Sequence, residues 1–209
     1  MDCTYIERSA SSLTTGEWEE LSELTREAFS EHKKRGLRML PCDADAGKLS
    51  RFLADCQLIL FYNYERPIAY LAYIIHKEGD IHFLENRLAA TSIHHKKHGL
   101  GKQLFKIQQN RAEEAGCLYM QTDTSCKATG ARAYHHACGF EDWYYTHWRN
   151  TNYYSIVLRK ELPEGRRMSR KLRYKSLIRS YISVHFRYRE NGQERRFYKW
   201  IKCLFRIKS

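Results

Sequence analysis

Five basic side chains precede a Gly-Leu-Gly step in the segment HHKKHGLGKQLF, residues 94–105. Apolar residues at helical spacing follow the two glycines, so the segment predicts the start of a helix. Amide N–H groups at a helix N-terminus attract anions, because they have no helical carbonyl partner and the helix dipole is positive there. The pattern therefore predicts an anion-binding turn, and a pyrophosphate fits its charge.

Two well-known phosphate-binding motifs do not match this turn. A Walker A loop needs Gly at its first position and Ser or Thr after Gly-Lys, whereas this sequence has Lys96 and Gln103 there. A dinucleotide-binding fingerprint needs a third Gly, where Leu104 stands, and it follows the first strand of its fold. A strand-to-helix turn remains, in which backbone amides would hold the anion. The side chains that would assist them are Lys96, Lys97, His98 and Lys102.

The elements that must position this turn alternate between strand and helix patterns. The sequence predicts strands over residues 3–10, 56–64, 67–80, 81–92, 117–123, 140–148 and 151–162, and helices over residues 15–36, 44–54, 99–116 and 126–139. The second and third of these strands are separated by a short turn and favour a hairpin. With 43% hydrophobic residues among 209, the chain can form one main core, and its fold class is a mixed α/β sheet.

Two segments within this pattern resemble the GNAT acyltransferase superfamily. The family's acetyl-CoA loop, Arg/Gln-x-x-Gly-x-Gly/Ala between its fourth strand and third helix, is similar to KKHGLG, residues 96–101, with Lys96 in place of Arg or Gln. A second family signature, Ala-x-x-Phe-Tyr-x-x-x-Gly-Phe, is similar to ARAYHHACGF, residues 131–140. The resemblance covers residues 5–160 and implies a mostly antiparallel central sheet flanked by helices, with acetyl-CoA as the acyl donor.

The resemblance also implies which groups would hold acetyl-CoA. The loop residues are Lys96, Lys97, His98, Gly99, Leu100, Gly101 and Lys102. A backbone N–H near Ala90 or Thr91 would polarise the thioester carbonyl. Ala128 stands where the family often has Asn, so one usual contact with the donor is not expected here.

Acetyl transfer to an amine needs a base, because an alkylamine with a pKa near ~10 is almost fully protonated at neutral pH. Glu85 is the candidate, since it lies eleven positions before Lys96, which resembles the placement of the base glutamate in histone-acetylating members of the superfamily. The alternative is a solvent-facing or salt-bridged strand carboxylate, with Arg87 as its partner. Asp80 and Asp123 are weaker candidates for the base.

The departing thiolate can be helped by an acid, although a thiol with a pKa near ~8.5 is already a tolerable leaving group. Many GNAT members have a Tyr five residues before the Phe of the Gly-Phe pair; His135 stands there, with Tyr134 directly before it. An imidazolium can donate a proton near neutral pH, so His135 is the candidate acid and Tyr134 its substitute. The alternative is that one of the two packs on the sheet and the other is a surface residue.

His94, His95 and His98 invite a metal interpretation, but no carboxylate or cysteine lies at ligand spacing around them. We expect these histidines to be solvated or to face a phosphate, and the resemblance implies catalysis without a metal. The seven cysteines are odd in number and contain no Cys-x-x-Cys pair, so reduced thiols are expected.

The net charge of +12 is confined to the last part of the sequence. Residues 163–209 contain 15 Lys and Arg against three Glu, whereas residues 1–162 contain 21 basic and 21 acidic residues. We therefore predict an N-acetyltransferase domain over residues 1–162 and a basic amphipathic extension over residues 163–209. The apolar stripes that predict two helices in the extension contain Met168, Leu172, Ile178 and Ile182, and then Phe197, Trp200, Ile201, Leu204 and Ile207.

Basic amphipathic helices of this kind suit an anionic membrane surface. Packing of both helices on the catalytic domain is the alternative. Nucleic-acid binding is less favoured, because residues 1–162 have no excess positive charge to extend the footprint. The sequence has no long apolar span and no signal-peptide pattern, so we expect a cytoplasmic protein, peripheral at the inner membrane face if the extension binds lipid.

Three functions from different classes remain for comparison. They are an N-acetyltransferase that uses acetyl-CoA and a primary amine, an inert acyl-CoA-binding module, and a nucleic-acid-binding protein that uses its tail. The Gly-x-Gly turn favours the first two, and Glu85 with His135 separates the first from the second. A membrane location would point to an amino sugar of a cell-surface glycan precursor as acceptor, but the sequence identifies neither the acceptor nor the oligomeric state.

Overall fold

The computed structural model describes residues 4–165 and 169–204, and it contains the strands and helices that the sequence pattern predicts. The strands are β1 (Thr4–Ser9), β2 (Gln57–Asn63), β3 (Arg66–Glu78), β4 (Ile81–Thr91), β5 (Tyr119–Ser125), β6 (Glu141–Thr146) and β7 (Ser155–Glu161). The helices are α1 (Thr15–Ala28), α2 (Ser30–Lys34), α3 (Ala46–Phe52), α4 (Leu100–Glu114), α5 (Thr129–Ala137), α6 (Arg170–Arg187) and α7 (Arg196–Leu204). This order confirms the predicted α/β fold class with a helical C-terminal segment.

The helix predicted over residues 15–36 is interrupted at Phe29. Its ring packs against the core and its ψ is 5°, so the chain turns there before α2 begins at Ser30. At the other end of α1, Thr14 accepts a hydrogen bond from the amide of Glu17, and the Glu17 carboxylate accepts one from the amide of Thr14. This capping box satisfies two amides that a helix start would otherwise leave without partners.

The seven strands form one sheet in the order β1-β2-β3-β4-β5-β7-β6. The pairs β1–β2, β2–β3, β3–β4 and β6–β7 are antiparallel, whereas β4 and β5 are parallel. The sheet is therefore mixed and mostly antiparallel. The parallel pairing is short, because it joins only Phe83–Glu85 on β4 to Tyr119–Gln121 on β5 in the described part of the chain.

Two compact units make up the described chain, and the first contains residues 4–122 and 160–165. Its core lies between α1 and α3 on one side and β2, β3 and β4 on the other, and includes Trp18, Leu21, Leu49, Leu53, Leu58, Leu60 and Ala72. The fully buried Tyr70 donates a hydrogen bond to Thr25 Oγ1 at 2.5 Å, and Thr25 donates to the carbonyl of Leu21 at 2.6 Å. These bonds satisfy the hydroxyls that α1 and β3 bury.

The second unit contains residues 123–159 and 169–204, and α6 packs against β6 within it. Ser180 on α6 accepts a hydrogen bond at 2.9 Å from the amide of Tyr145 on β6. The hydroxyl of Tyr154 donates to the carbonyl of Tyr188 at 2.7 Å. These contacts favour the packing alternative for α6, and independent folding of residues 1–162 stays a prediction.

The outer faces of α6 and α7 nevertheless carry exposed apolar side chains. The exposed fractions are 56% for Leu172, 59% for Ile178, 61% for Ile182, 57% for Phe197, 59% for Trp200 and 57% for Leu204. Met168 and Ile207, which also belong to the predicted stripes, lie outside the described residues. Across residues 4–165 and 169–204, no helix has the length and apolar character needed to cross a membrane.

Candidate functional site

The predicted anion-binding turn lies between β4 and α4, and its first residues are anchored on both sides. The amide of Ser92 donates to the carbonyl of Ile68 at 2.8 Å. Glu27 on α1 anchors Ser92 and Ile93, because its Oε1 accepts hydrogen bonds from Ser92 Oγ at 3.0 Å and from the amide of Ile93 at 2.8 Å. A short 3-10 turn over Ile93–His95 follows. The turn therefore starts from fixed points on α1 and β3.

Gly99 is the N-cap residue of α4, with a φ of 82° and a ψ of −3°. This left-handed conformation is strained for most residues but not for glycine. Gly99 has no side chain to cap the helix, and a Cβ built on it would meet nothing within 4 Å. The space beside Gly99 is therefore open, at the positive end of a 15-residue helix.

The basic side chains of the turn are exposed, and they are Lys96, Lys97, His98 and Lys102. The side chain of Leu100 is buried, so only its backbone is available to a ligand, whereas Gly101 lies in the first turn of α4. His32 on α2 lies close enough to be affected by this positive charge. Burial lowers the pKa of its imidazole, and the charges of Arg35 and Lys96 lower the pKa further. The turn thus combines open space with concentrated positive charge.

Ala90 and Thr91, the predicted source of an amide for the thioester carbonyl, are the last two residues of β4. They pair with Tyr70 and Ala69 on β3. In the described pairings, β4 pairs with β5 only as far as Glu85. Beyond Glu85, the β4 amides that point away from β3 therefore have no strand partner in those pairings. Such amides can donate to a carbonyl oxygen, as the prediction requires.

The carboxylate of Glu85 on β4 has two side-chain partners. Its Oε2 lies 2.8 Å from Nε2 of His76 on β3, and its Oε1 accepts a hydrogen bond from Arg87 at 3.0 Å. The register with β3 shifts between Ala72 and Tyr73, so Arg87 is the extra residue of a β-bulge. The salt bridge considered as an alternative is present. The Glu85 side chain is still 24% exposed, and each oxygen has two lone pairs, so the carboxylate can accept a further hydrogen bond.

The two weaker carboxylate candidates lie elsewhere. Asp80 is in the exposed turn between β3 and β4. Asp123 belongs to the second unit, where it accepts a hydrogen bond at 2.9 Å from Nε1 of Trp148. Among the three, Glu85 is the carboxylate next to the point where β4 separates from β5.

Tyr134 and His135 lie on α5 in the second unit. After this helix Gly139 has a φ of 88°, and the amide of the buried Phe140 donates to the carbonyl of His135 at 3.0 Å. The Gly-Phe signature is therefore a helix end, in which Gly reverses the chain and Phe anchors it. The ring of His135 packs edge-on against Phe140, with a centroid distance of 5.5 Å. Ala128, at the start of α5, is buried and provides no side-chain cap.

The protonation states of the two acid candidates differ. Burial lowers the pKa of His135 to about 4, with a further effect of His136, and the buried Nδ1 of His135 has no hydrogen-bond partner among the described residues. Burial raises the pKa of Tyr134, and a hydrogen bond with Cys138 adds to this effect. Near neutral pH His135 is therefore uncharged and has no imidazolium proton to donate, whereas Tyr134 keeps its hydroxyl proton but is a weaker acid than an exposed tyrosine.

His94 and His95 lie in the 3-10 turn, and His98 lies beside Gly99. In the described ranges 4–165 and 169–204, no group of three or more His, Cys, Asp or Glu side chains could hold a metal ion. The six cysteines in these ranges are free thiols, and Cys3 lies outside the described residues.

His76 and Glu27 are parts of this arrangement that the motifs did not identify. The position of His76 could have been predicted from the sequence. The two-residue turn after Glu78 fixes the register of the hairpin, and this register puts His76 opposite Phe83 and diagonal to Glu85. Glu27 had no such signal, because its partner Ser92 is 65 residues away in the sequence.

Solved acetyltransferase structures share this fold. An N-acetyltransferase from Staphylococcus aureus Mu50 is 16% identical with a TM-score of 0.58, and the match covers 76% of this chain and 97% of that one. A GNAT family acetyltransferase from Elizabethkingia anophelis with acetyl-CoA bound is 17% identical with a TM-score of 0.54, covering 77% and 98%. The ribosomal-protein-S18-alanine N-acetyltransferase from Escherichia coli is 12% identical with a TM-score of 0.54, covering 80% and 98%. No family model and no curated protein matches the sequence. The structural likeness confirms the GNAT fold that the two motifs predicted.

Proposed function

We propose that this chain, which has the GNAT fold, transfers an acetyl group from acetyl-CoA to the primary amine of an acceptor. The observation that carries the proposal is the turn before α4. Gly99 has a left-handed backbone there, and the space beside it is open at the positive end of the helix. A pyrophosphate placed at this point would meet backbone amides and positive charge together.

The groups proposed to hold acetyl-CoA are those of the turn and the end of β4. They are the side chains of Lys96, Lys97, His98 and Lys102 and the backbone of Gly99, Leu100 and Gly101. An amide near Ala90 or Thr91 is proposed to donate to the thioester carbonyl, whose oxygen becomes more negative as the amine attacks.

Two proton transfers accompany the reaction, and each is assigned to a side chain. The acceptor ammonium must lose a proton before its nitrogen can attack the carbonyl carbon, and the base proposed for this step is centred on Glu85 with its partner His76. When the C–S bond breaks, the thiolate takes a proton. We assign that donation to Tyr134, which keeps its hydroxyl proton at neutral pH although burial makes it a weaker acid; His135 is the weaker alternative, because its pKa is lowered to about 4 and it carries no imidazolium proton at neutral pH.

The cofactor part of the proposal is tested by calorimetry with acetyl-CoA. Gly99→Asp is expected to abolish binding, because its side chain fills the open space and adds a repelling charge. Gly116→Asp is the matched control: Gly116 follows the same helix, has a φ of 65°, and also has nothing within 4 Å of a built Cβ. Equal losses in both variants, or none in either, would contradict the assignment of the turn.

The catalytic part is tested by an acceptor screen in which release of the free CoA thiol is followed. Glu85→Gln is expected to lower kcat by roughly 10²- to 10⁴-fold with little change in acetyl-CoA affinity, because a base acts in the transition state. Tight acetyl-CoA binding without thiol release for any acceptor would instead favour the inert acyl-CoA-binding module.

A second proposal concerns a partner surface: α6 and α7 bind an anionic membrane. It is supported by the exposed apolar side chains of Ile178 and Ile182, which alternate with exposed Lys175 and Arg179 on the same helix. A basic residue near an anionic surface contributes on the order of 1 kcal/mol. If this location holds, an amino sugar of a glycan precursor made at the membrane is the acceptor class to screen first.

Sedimentation with anionic and neutral vesicles tests the membrane proposal. Binding is expected for anionic vesicles only, with release at high salt. The double variant Trp200→Ser, Leu204→Ser should lose binding that persists at moderate salt, whereas Tyr64→Ser, which alters an aromatic that is 94% exposed in the first unit, should not. Duplex DNA binding that survives the double variant would favour the nucleic-acid alternative.

A further inference from the structure

The hydrogen bond between His76 and Glu85 fixes which nitrogen of the imidazole carries a proton. The atoms Nε2 of His76 and Oε2 of Glu85 are 2.8 Å apart. An ionised carboxylate has only acceptor atoms, so Nε2 must be the donor. In the neutral ring the lone pair is then on Nδ1. His76 is thus arranged as a histidine whose partner carboxylate orients it and leaves the opposite nitrogen available.

The ring of His76 is also fixed by stacking. It stacks on Phe83 with a centroid distance of 4.6 Å and an interplanar angle of 17°. Phe83 in turn stacks on Tyr119 at 5.0 Å and 10°. The His76 side chain is 31% exposed, so an incoming molecule can reach it. A held ring with a reachable lone pair meets the geometric requirements of a general base.

Two side chains near this pair carry or lack charge. Arg87 neutralises Glu85 in the resting site at 3.0 Å. The Cys56 thiol nearby is uncharged, because burial raises its pKa to about 11, and the charges of Glu85, Arg87 and Asp55 act on it as well. Glu85 is therefore the charged group that contacts the His76 ring.

We propose that Nδ1 of His76 is the atom that accepts the proton of the acceptor ammonium, with Glu85 as its positioning residue; this inference rests on the proposed acetyl transfer. The N–H bond of the ammonium breaks and its electron pair stays on nitrogen. That pair forms the new C–N bond with the thioester carbonyl carbon, the C–S electrons leave with sulfur, and the nitrogen releases its second proton to solvent as the amide forms. The proton on His76 then passes to solvent.

The pH dependence of kcat/KM distinguishes this arrangement from direct proton transfer to Glu85. Proton acceptance by the imidazole predicts a rising limb in the wild-type pH profile that depends on His76. His76→Gln should lose that limb and lower kcat by roughly 10²- to 10⁴-fold, the usual contribution of a general base. His82→Gln is the matched control, since His82 is also half-buried, lies on β4 and has no carboxylate partner in the described structure.

A second measurement does not depend on activity. Nitrogen-15 NMR of the imidazoles in the wild-type chain should show His76 as the Nε2–H form, and Glu85→Gln should change its tautomer ratio or titration. This NMR measurement on the wild-type chain can be made even if the His76→Gln variant does not fold. An Nδ1–H form, or a wild-type pH profile in a folded His76→Gln variant, would overturn the inference while leaving acetyl transfer intact. A wild-type chain that binds acetyl-CoA but acetylates no amine would overturn the proposed function and this inference with it.

Discussion

Glu27 holds the start of the anion-binding turn, and its replacement by Ala is expected to weaken acetyl-CoA binding. The carboxylate lies on α1 and accepts two hydrogen bonds, from Ser92 Oγ at 3.0 Å and from the amide of Ile93 at 2.8 Å. Both donors lie in the residues that join β4 to the turn. Without these bonds the turn must be ordered by the ligand, and that cost reduces the observed affinity.

The magnitude follows from the kind of bond and its exposure. A hydrogen bond to a charged group contributes about 1.5–3 kcal/mol when it is well shielded. Ile93 is exposed, so water can replace the carboxylate at its amide, and the two bonds together are expected to contribute about 1–3 kcal/mol. If this energy appears in binding, the Kd for acetyl-CoA rises about 5- to 150-fold.

Calorimetry on three variants tests this reasoning. Glu27→Ala should show the full rise in Kd, and Glu27→Gln about half of the free-energy change, because its amide oxygen can still accept both bonds but carries no negative charge. Glu23→Ala is the control, since Glu23 is an exposed carboxylate one turn earlier on the same helix. Thermal unfolding is measured in parallel. A lower melting temperature in Glu27→Ala with an unchanged Kd would refute the link between this anchor and the ligand site.

Two further predictions concern stability. Tyr70→Phe removes a buried hydroxyl that donates to Thr25, so urea unfolding should show a loss of about 1–2 kcal/mol, whereas no loss would mean that the bond is not formed. The pKa of His135 falls from 6.5 to about 4 on folding, so between these values the unfolded chain binds a proton that the folded chain does not. Burial of the neutral imidazole of His135 therefore costs no stability above pH ~6.5, and the free energy of unfolding decreases by up to about 3 kcal/mol as the pH falls to ~4. The free energy of unfolding of His135→Gln should lack this pH dependence.

Local sequence was sufficient for the turn but not for its supports. A left-handed Gly99 and a helix start are properties of adjacent residues, so the motif predicts them directly. The Glu85 contact with Arg87 is also local, because the two are separated by one residue on a strand. Glu27 reaches the turn only because α1 packs across β3 and β4, and no periodicity in the sequence encodes that contact.

The packing face of α6 shows a different limit of sequence patterns. The predicted apolar stripe included Leu172, Ile178 and Ile182, and these side chains are exposed. The hydroxyl of Ser180 contacts β6 instead, and Val184, one turn later on α6, is buried. Amphipathic analysis ranks faces by their apolar content, so it cannot identify a packing face whose contacts are partly polar.

The two faces of α6 make separate predictions, which point substitutions test better than deletion of residues after Leu162. Deletion would remove the acceptor for the amide of Tyr145 and the ion pair between Arg173 and Glu141, so it would alter the folded unit as well as the outer surface. Ser180→Ala should lower the free energy of unfolding by about 1–2 kcal/mol, because it leaves that amide without its partner, and should leave vesicle binding unchanged. Ile182→Ser should reduce vesicle binding and leave the free energy of unfolding unchanged. Its side chain is 61% exposed and contributes to the apolar surface offered to lipid. Parallel losses of stability and vesicle binding in both variants would refute the division of α6 into a packing face and a membrane face.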